Sequence, residues 1–412
     1  MEVQMTNAGL SAAAGVVAAA AIALAGCIDG SGGGGGNGNS RGDDMIDESD
    51  RAPLPDGDTA NGDGNDVGGS RGDGPFTITV LGNLPFLSGP PFEDHPVTTH
   101  ATDINNAGQV VGWSTSGWGQ GDGHGVLWTD GNVLNIQHSQ WTSLHGINEQ
   151  GQIVGSAGSS ATVSLKAFLW QHGSIMDIGD VPAYGGNVSS ALAINSKSQV
   201  VGWAVDDPWA SSRSRRAFLW QNGHLVDLGS LPGGEDTSSA HAINAQGQVV
   251  GASSVAFPGF IPTADASRAF LWENDEMIDL GLATGHAVDI NDRGQIVGTG
   301  KLDGEQRAFL WREGEVVNLG TLPGGHSSRA SAINEAGQVV GVSESESGPR
   351  AFLWEQGGGM RDLNDLIHPG DPHHGAFVFE KAPAINDQGQ IVTVGRIDGD
   401  EHALVLTPVE PD

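Results

Sequence analysis

The sequence predicts an all-β fold: a seven-bladed β-propeller of four-stranded blades, its ring closed by an N-terminal strand that completes the last blade. Three observations carry this expectation. The module Ala242-Ile243-Asn244-Ala245-Gln246-Gly247-Gln248-Val249-Val250-Gly251 recurs with its Ile at 104, 147, 194, 243, 290, 333 and 385, at spacings of 43, 47, 49, 47, 43 and 52 residues. A period of this size, with several strands per copy, belongs to repeated units that bury together what none buries alone. The two ends of the repeat region carry complementary parts of one unit. Finally, 65 Gly and only 17% charged residues suit an all-β chain with many tight turns.

Each unit reads as four strands. An inner strand ends in Ile-Asn, and Asn-x-x-Gly turns it back, since Asn bonds its own downstream backbone and Gly accepts positive φ. The third copy departs, with Ser198 at the Gly position. The second strand is Gln-Val-Val-Gly. The third is Ala-Phe-Leu-Trp, at 167–170, 217–220, 269–272, 308–311 and 351–354, with Gly125-Val126-Leu127-Trp128 in the first unit. Both its faces are apolar, so both must be covered, as in a blade packed between two neighbours. A Gly-containing turn such as Asn222-Gly223 leads to a fourth strand such as Leu225-Val226-Asp227-Leu228-Gly229.

Phe76-Thr77-Ile78-Thr79-Val80-Leu81-Gly82 matches a fourth strand, but no first three precede it. After the last module comes His402-Ala403-Leu404-Val405-Leu406, a third strand without a fourth. The N-terminal strand is therefore expected to complete the last unit, which an open stack of repeats gives no reason for.

Ahead of the repeats the chain divides in two. Within residues 1–26, expected to be a signal peptide, residues 10–25 form an Ala-rich apolar run ending in Leu24-Ala25 ahead of Gly26 and Cys27, too short for a spanning helix of about 20 residues. The run resembles a bacterial lipobox. That resemblance implies cleavage before Cys27, lipidation of Cys27 and, with Ile28 following, an outer-membrane or cell-surface lipoprotein. Residues 27–75 are Gly, Asp, Asn and Ser with little apolar content, expected to form a disordered acidic tether. Residues 76–412 are the repeat region. Cys27 is the only cysteine, so no intrachain disulfide and no multi-thiolate zinc site can form. A net charge of −32 repels phosphate backbones and argues against nucleic acid as a partner.

Together, Ala-Ile-Asn-x-x-Gly-Gln-Val-Val-Gly and Arg-Ala-Phe-Leu-Trp-x-x-Gly resemble the bacterial HAF extracellular repeat family, over essentially all of 76–406. The resemblance implies an exported or surface-bound repeat protein and supplies no catalytic residues.

Function is sought where the copies disagree. Trp113, Trp118, Trp141, Trp203 and Trp209 lie in or beside the long connections of the first three units; they form a recognition patch or each covers its own loop. Four residues before each repeated Ile stand His100, Ser143, Ser190, Ser239, His286, Arg329 and Lys381, placed to crowd one mouth of a central channel. His100, His286, Arg329 and Lys381 there would attract an anionic small molecule such as a uronate, or are simply solvated. His368, Asp371, His373 and His374 offer N and O donors to a divalent metal; no other cofactor is expected. The repeated Asn135, Asp177, Asp227, Asp279, Asn318 and Asp362 recur too often for a single active site and read as a shared structural bond. The expected function is a monomeric recognition or scaffolding module that binds extracellular protein or glycan without catalysis. The alternative is a hydrolase or lyase acting on an extracellular polysaccharide at the channel mouth.

Overall fold

The computed structural model describes residues 75–84, 98–115, 123–159, 164–178, 188–205, 215–232, 237–254, 267–397 and 400–409. The expected signal and lipidation segment with Cys27, almost all of the tether, Trp118 and Trp209 lie outside the described residues. Among the described residues no helix is long and apolar enough to cross a membrane.

The repeat unit folds as an antiparallel meander. In the first, Thr98–Ile104 pairs with Val110–Thr115, which pairs with Gly123–Thr129, which pairs with Asn132–Ile136. Among the described residues, hydrogen bonding divides the strands into five four-stranded sheets and one eight-stranded sheet. Seven separate four-stranded sheets were expected, and this corrects that count. The eight strands are two meanders, within 141–177 and 188–227, joined among the described residues by the parallel pair of Val188 with Leu165.

The core lies between consecutive sheets. Phe270 packs among Leu219, Leu228 and Val249, while Leu271 packs on the other side with Leu280, Ile290 and Phe309. The double apolar character of Ala-Phe-Leu-Trp is thus explained, with Phe facing one neighbour and Leu the other. The closing sheet forms as the chain ends predicted: Phe76–Val80 pairs with Asp400–Pro408, from Phe76 opposite Pro408 to Val80 opposite Leu404. Its outer edge is covered in turn, because His368 N donates to Phe76 O at 2.7 Å and Ile78 N to Asp371 Oδ2 at 2.8 Å. A covered edge offers no template for pairing with another chain.

Each inner strand carries a bulge two residues before its Ile or next to it, as between Ala287 and Asp289. The bulge explains the last Gly of the module. A Cβ on Gly112, Gly155, Gly202, Gly251, Gly298 or Gly341 would lie 1.9 to 2.1 Å from the carbonyl oxygen four residues before the repeated Ile. The closing sheet has Thr393 at this place, where the inner strand shifts register twice and Thr393 Oγ1 donates to Lys381 O at 2.6 Å.

The repeated Asn carries four bonds. In Asn244, Oδ1 accepts from Gln246 N and Gln248 N, while Nδ2 donates to Gln248 Oε1 and to Asn291 O of the next unit. The inter-unit bond recurs from Asn105 to Asn148, Asn195, Asn244, Asn291, Asn334 and Asn386, and Asn386 Nδ2 returns to Asn105 O at 3.1 Å. A closed belt of asparagines therefore runs around one end of the axis. Ser198 fits the Gly position at φ 60° and donates its hydroxyl to Gln152 Oε1 at 2.7 Å.

Candidate functional site

Each inner strand packs beside the next, and Val378–Ile385 packs beside Thr98–Ile104, so these strands enclose an axis. Four places before the repeated Ile, the lining splits into two arcs. His286, Arg329, Lys381 and His100 come from four consecutive inner strands and are half-buried. Ser143, Ser190 and Ser239 complete the circle and are buried. The sequence reasoning placed these residues around one mouth, and the structure brings the basic or titratable ones side by side. His100 stacks on Trp113 with ring centroids 4.2 Å apart. Arg329 Nη2 reaches Gln306 Oε1 at 3.4 Å. The hydroxyls of Ser239 and of Thr299, the latter opposite His286, are buried without a hydrogen-bond partner.

Deeper along the axis are side chains the sequence reasoning missed. Asp103 accepts from Ile104 N at 2.8 Å and from Ile147 N of the next inner strand at 2.9 Å. Asp289 does the same with Ile290 N and Ile333 N, both at 2.8 Å. At the bulge positions, His145 Nε2 lies 3.0 Å from Ser156 Oγ, and His241 Nδ1 donates to Ala287 O at 2.7 Å. The His241 and His286 rings meet edge to face at 6.4 Å. A signal for the two acids existed: one place before Ile the other copies have only Gly146, Ala193, Ala242, Ala332 and Ala384.

Burial pushes the Asp103 carboxyl up to about 7 and Asp289 up to about 6, against the pull of the N–H groups they accept. Each acid is also raised by nearby carboxylates, Asp103 by Asp289 among others. Burial pushes His145 down to about 4 and His286 to about 3, the latter assisted by His241 and Arg329; burial lowers His241 as well. The deep lining therefore carries little positive charge at neutral pH. The linkage for Asp103 has a definite sign, because its folded-state value lies above its unfolded one: its contribution is fully present below about pH 4 and is lost as pH rises through about 7. Unfolding of the native chain and of Asp103→Asn, followed by denaturant from pH 4 to 8, is expected to show the native chain losing stability relative to the variant as pH rises. A pH-independent difference would contradict this.

The remaining candidates separate. Trp113 is half-buried in its stack with His100. Trp203 is 1% exposed, packed with Leu165 and Val205 under the Arg215 guanidinium 4.2 Å from its ring, so it is not part of an exposed patch. Trp141 is half-buried against the same cluster. In the expected metal loop both Asp371 oxygens are engaged, one by Ile78 N and the other by His373 N. Burial alone raises the Asp371 carboxyl, but these N–H groups and His373 outweigh it and hold the group below the ordinary value. His368 Nδ1 accepts from Gly370 N at 3.0 Å, and among the described residues no three His, Cys, Asp or Glu converge as a ligand set. The repeated Asp or Asn of the fourth strand acts structurally where its bonds are described: Asp227, Asp279, Asn318 and Asp362 each accept from the N–H two residues on.

No protein-family profile matches the chain, and no curated protein does. Solved structures do. The β-propeller domain of the trilobed protease from Pyrococcus furiosus, described as having an open velcro topology, is similar at TM-score 0.55 and 12% identity over 76% of this chain and 96% of that one. Uncomplexed acylaminoacyl peptidase from Pyrococcus horikoshii is similar at TM-score 0.50 and 12% identity, over 74% of this chain and 52% of that one. This chain thus spans about half the length of the acylaminoacyl peptidase. Oligogalacturonate lyase in complex with manganese is similar at TM-score 0.48 and 14% identity over 82% and 99%. The class that fold and comparisons define is an all-β propeller.

Proposed function

We propose that this propeller is an exported recognition module, anchored through Cys27, which binds an acidic extracellular glycan or protein segment at its axial mouth. The ring is read as seven units, with the eight-stranded sheet counted as two, in keeping with the belt of seven asparagines. The observation that carries the reading is the unbroken arc of His286, Arg329, Lys381 and His100 opposite the buried serines. In a chain of net charge −32, the neighbouring cations Arg329 and Lys381 focus attraction for an anion at this mouth, while His286, which burial keeps neutral, adds a hydrogen-bonding ring beside them. The half-buried His100–Trp113 stack suits the flat face of a sugar. Each charge-assisted contact contributes about 1.5 kcal/mol, so Arg329→Ala with Lys381→Ala is expected to weaken binding of uronate oligosaccharides roughly 100-fold. A glycan array with matched uronate and neutral oligosaccharides tests this; equal capture of both, or unchanged capture by the double variant, would sink it.

A second reading, a hydrolase or lyase acting on such a polymer, is favoured by one observation: Asp103 and Asp289 are raised into the range that suits general acid–base catalysis. Against it, both oxygens of each carboxyl already accept backbone N–H groups from two inner strands. Cleavage of bound uronate polymer that Asp289→Asn removes would favour this reading over simple recognition.

A further inference from the structure

A cavity of about 210 Å³ lies away from the axial arc, between the Gly348–Glu355 strand and the segment that clamps the N-terminal strand. Its walls include Arg350, His373, Ile78, Ile367, Phe377 and Phe379. The four apolar residues are buried, with Phe379 only 1% exposed. Asn364 also borders the space, but its amide is committed: Oδ1 accepts from Phe379 N at 2.8 Å and Nδ2 donates to Asp362 Oδ1 and Phe379 O. Recognition of a polar ligand group therefore falls to Arg350 and His373.

The repeat itself marks Arg350 as different. An Arg before Ala-Phe-Leu-Trp meets the fourth-strand Asp closely in two other units, Arg216 Nη2 with Asp227 Oδ2 at 2.9 Å and Arg268 Nη1 with Asp279 Oδ2 at 3.1 Å. For Arg350 the corresponding separation, Nε to Asp362 Oδ2, is 3.9 Å, beyond hydrogen-bond length. Asp362 Oδ1 accepts from Asn364 N at 2.9 Å, as its counterparts Asp227 and Asp279 accept from the N–H two residues on, and in addition from Asn364 Nδ2 at 2.6 Å as it caps the 3-10 helix Leu363–Leu366. The structural pair is thus stretched at the unit where a cavity opens beside Arg350, whose Nη1 donates to Pro349 O at 2.8 Å.

We propose that this cavity binds a small amphiphilic carboxylate, its anion on Arg350 and its compact apolar body against Ile78, Ile367 and Phe377. The volume lies below the roughly 300–1,000 Å³ of sites for drug-sized molecules, which restricts the ligand to fragment size. Because Ile78 belongs to the N-terminal strand and Ile367 and Phe377 to the segment covering it, a bound ligand bridges the two and steadies ring closure.

Titration of the full chain with benzoate and with benzamide, followed by calorimetry and thermal unfolding, tests the assignment. Benzoate is expected to bind at least about tenfold more tightly than the isosteric amide, the worth of one charge-assisted contact, and to raise the unfolding midpoint. Arg350→Gln is expected to remove the preference. Arg268→Gln, which breaks the equivalent structural pair in another unit, is expected to keep it. The Arg329→Ala, Lys381→Ala double variant is expected to keep it too, which separates this site from the mouth. Equal binding of the two probes, binding of neither, a preference that survives Arg350→Gln, or one that Arg268→Gln abolishes would each overturn the proposal.

Discussion

Gly298→Ala is expected to lower the free energy of unfolding by about 3 kcal/mol or more, the upper end of the cost of overpacking a core. The added Cβ would lie 2.1 Å from His286 O and 2.8 Å from the Phe309 ring. Neither neighbour can yield cheaply, since the carbonyl is fixed by the bulge between Ala287 and Asp289 and Phe309 is fully buried against the preceding sheet. The closing sheet supplies a contrast, because its inner strand carries a second register shift and holds a Thr side chain at this place. Thr393→Gly is accordingly expected to cost only about 1–2 kcal/mol, from a lost hydrogen bond and added chain entropy. Denaturant unfolding of both variants checks the pair. A loss below about 1 kcal/mol for Gly298→Ala would mean that the bulge relaxes.

These two positions show what the sequence makes legible and what it hides. The Gly was visible as a repeated residue, but its reason was not, because a bulge depends on the register of two strands that the motif does not state. Closure by Phe76–Val80 was legible because the ends of the repeat region hold complementary pieces. The joining of two units into one sheet was not, since it rests on a single pair, Val188 with Leu165, outside every motif. Trp203 looked like a loop aromatic; its burial depends on Leu165 of another unit and on Arg215. Asp371 looked like a metal donor in a His-rich loop, yet one of its partners, Ile78 N, is 293 residues away. At the mouth, the residue types were legible from alignment of the copies. The deeper acids were not legible as axial groups, because their direction depends on the bulge beside them, which the motif does not state.

Asn386→Ala is expected to cost about 4 kcal/mol, four hydrogen bonds of a buried side chain at about 1 kcal/mol each. Asn386 Nδ2 donates to Asn105 O and Gln390 Oε1, and Oδ1 accepts from Gln388 N and Gln390 N. Alanine fills none of these places, and the two N–H groups and the Asn105 carbonyl remain beside a side chain that cannot bond them. Asn386→Asp keeps the acceptor but turns the donor into a second oxygen facing Asn105 O and Gln390 Oε1; it is expected to be destabilised at neutral pH and partly restored in acid, where the protonated carboxyl donates again. Asn195→Ala removes the same four kinds of bond away from the chain ends. If the seam between the ends is held as firmly as the rest of the belt, Asn386→Ala and Asn195→Ala will lower stability equally in denaturant unfolding. A much larger loss at Asn386 would instead identify the seam, where the N-terminal strand is clamped by the Asp371 loop, as the place where the ring opens first.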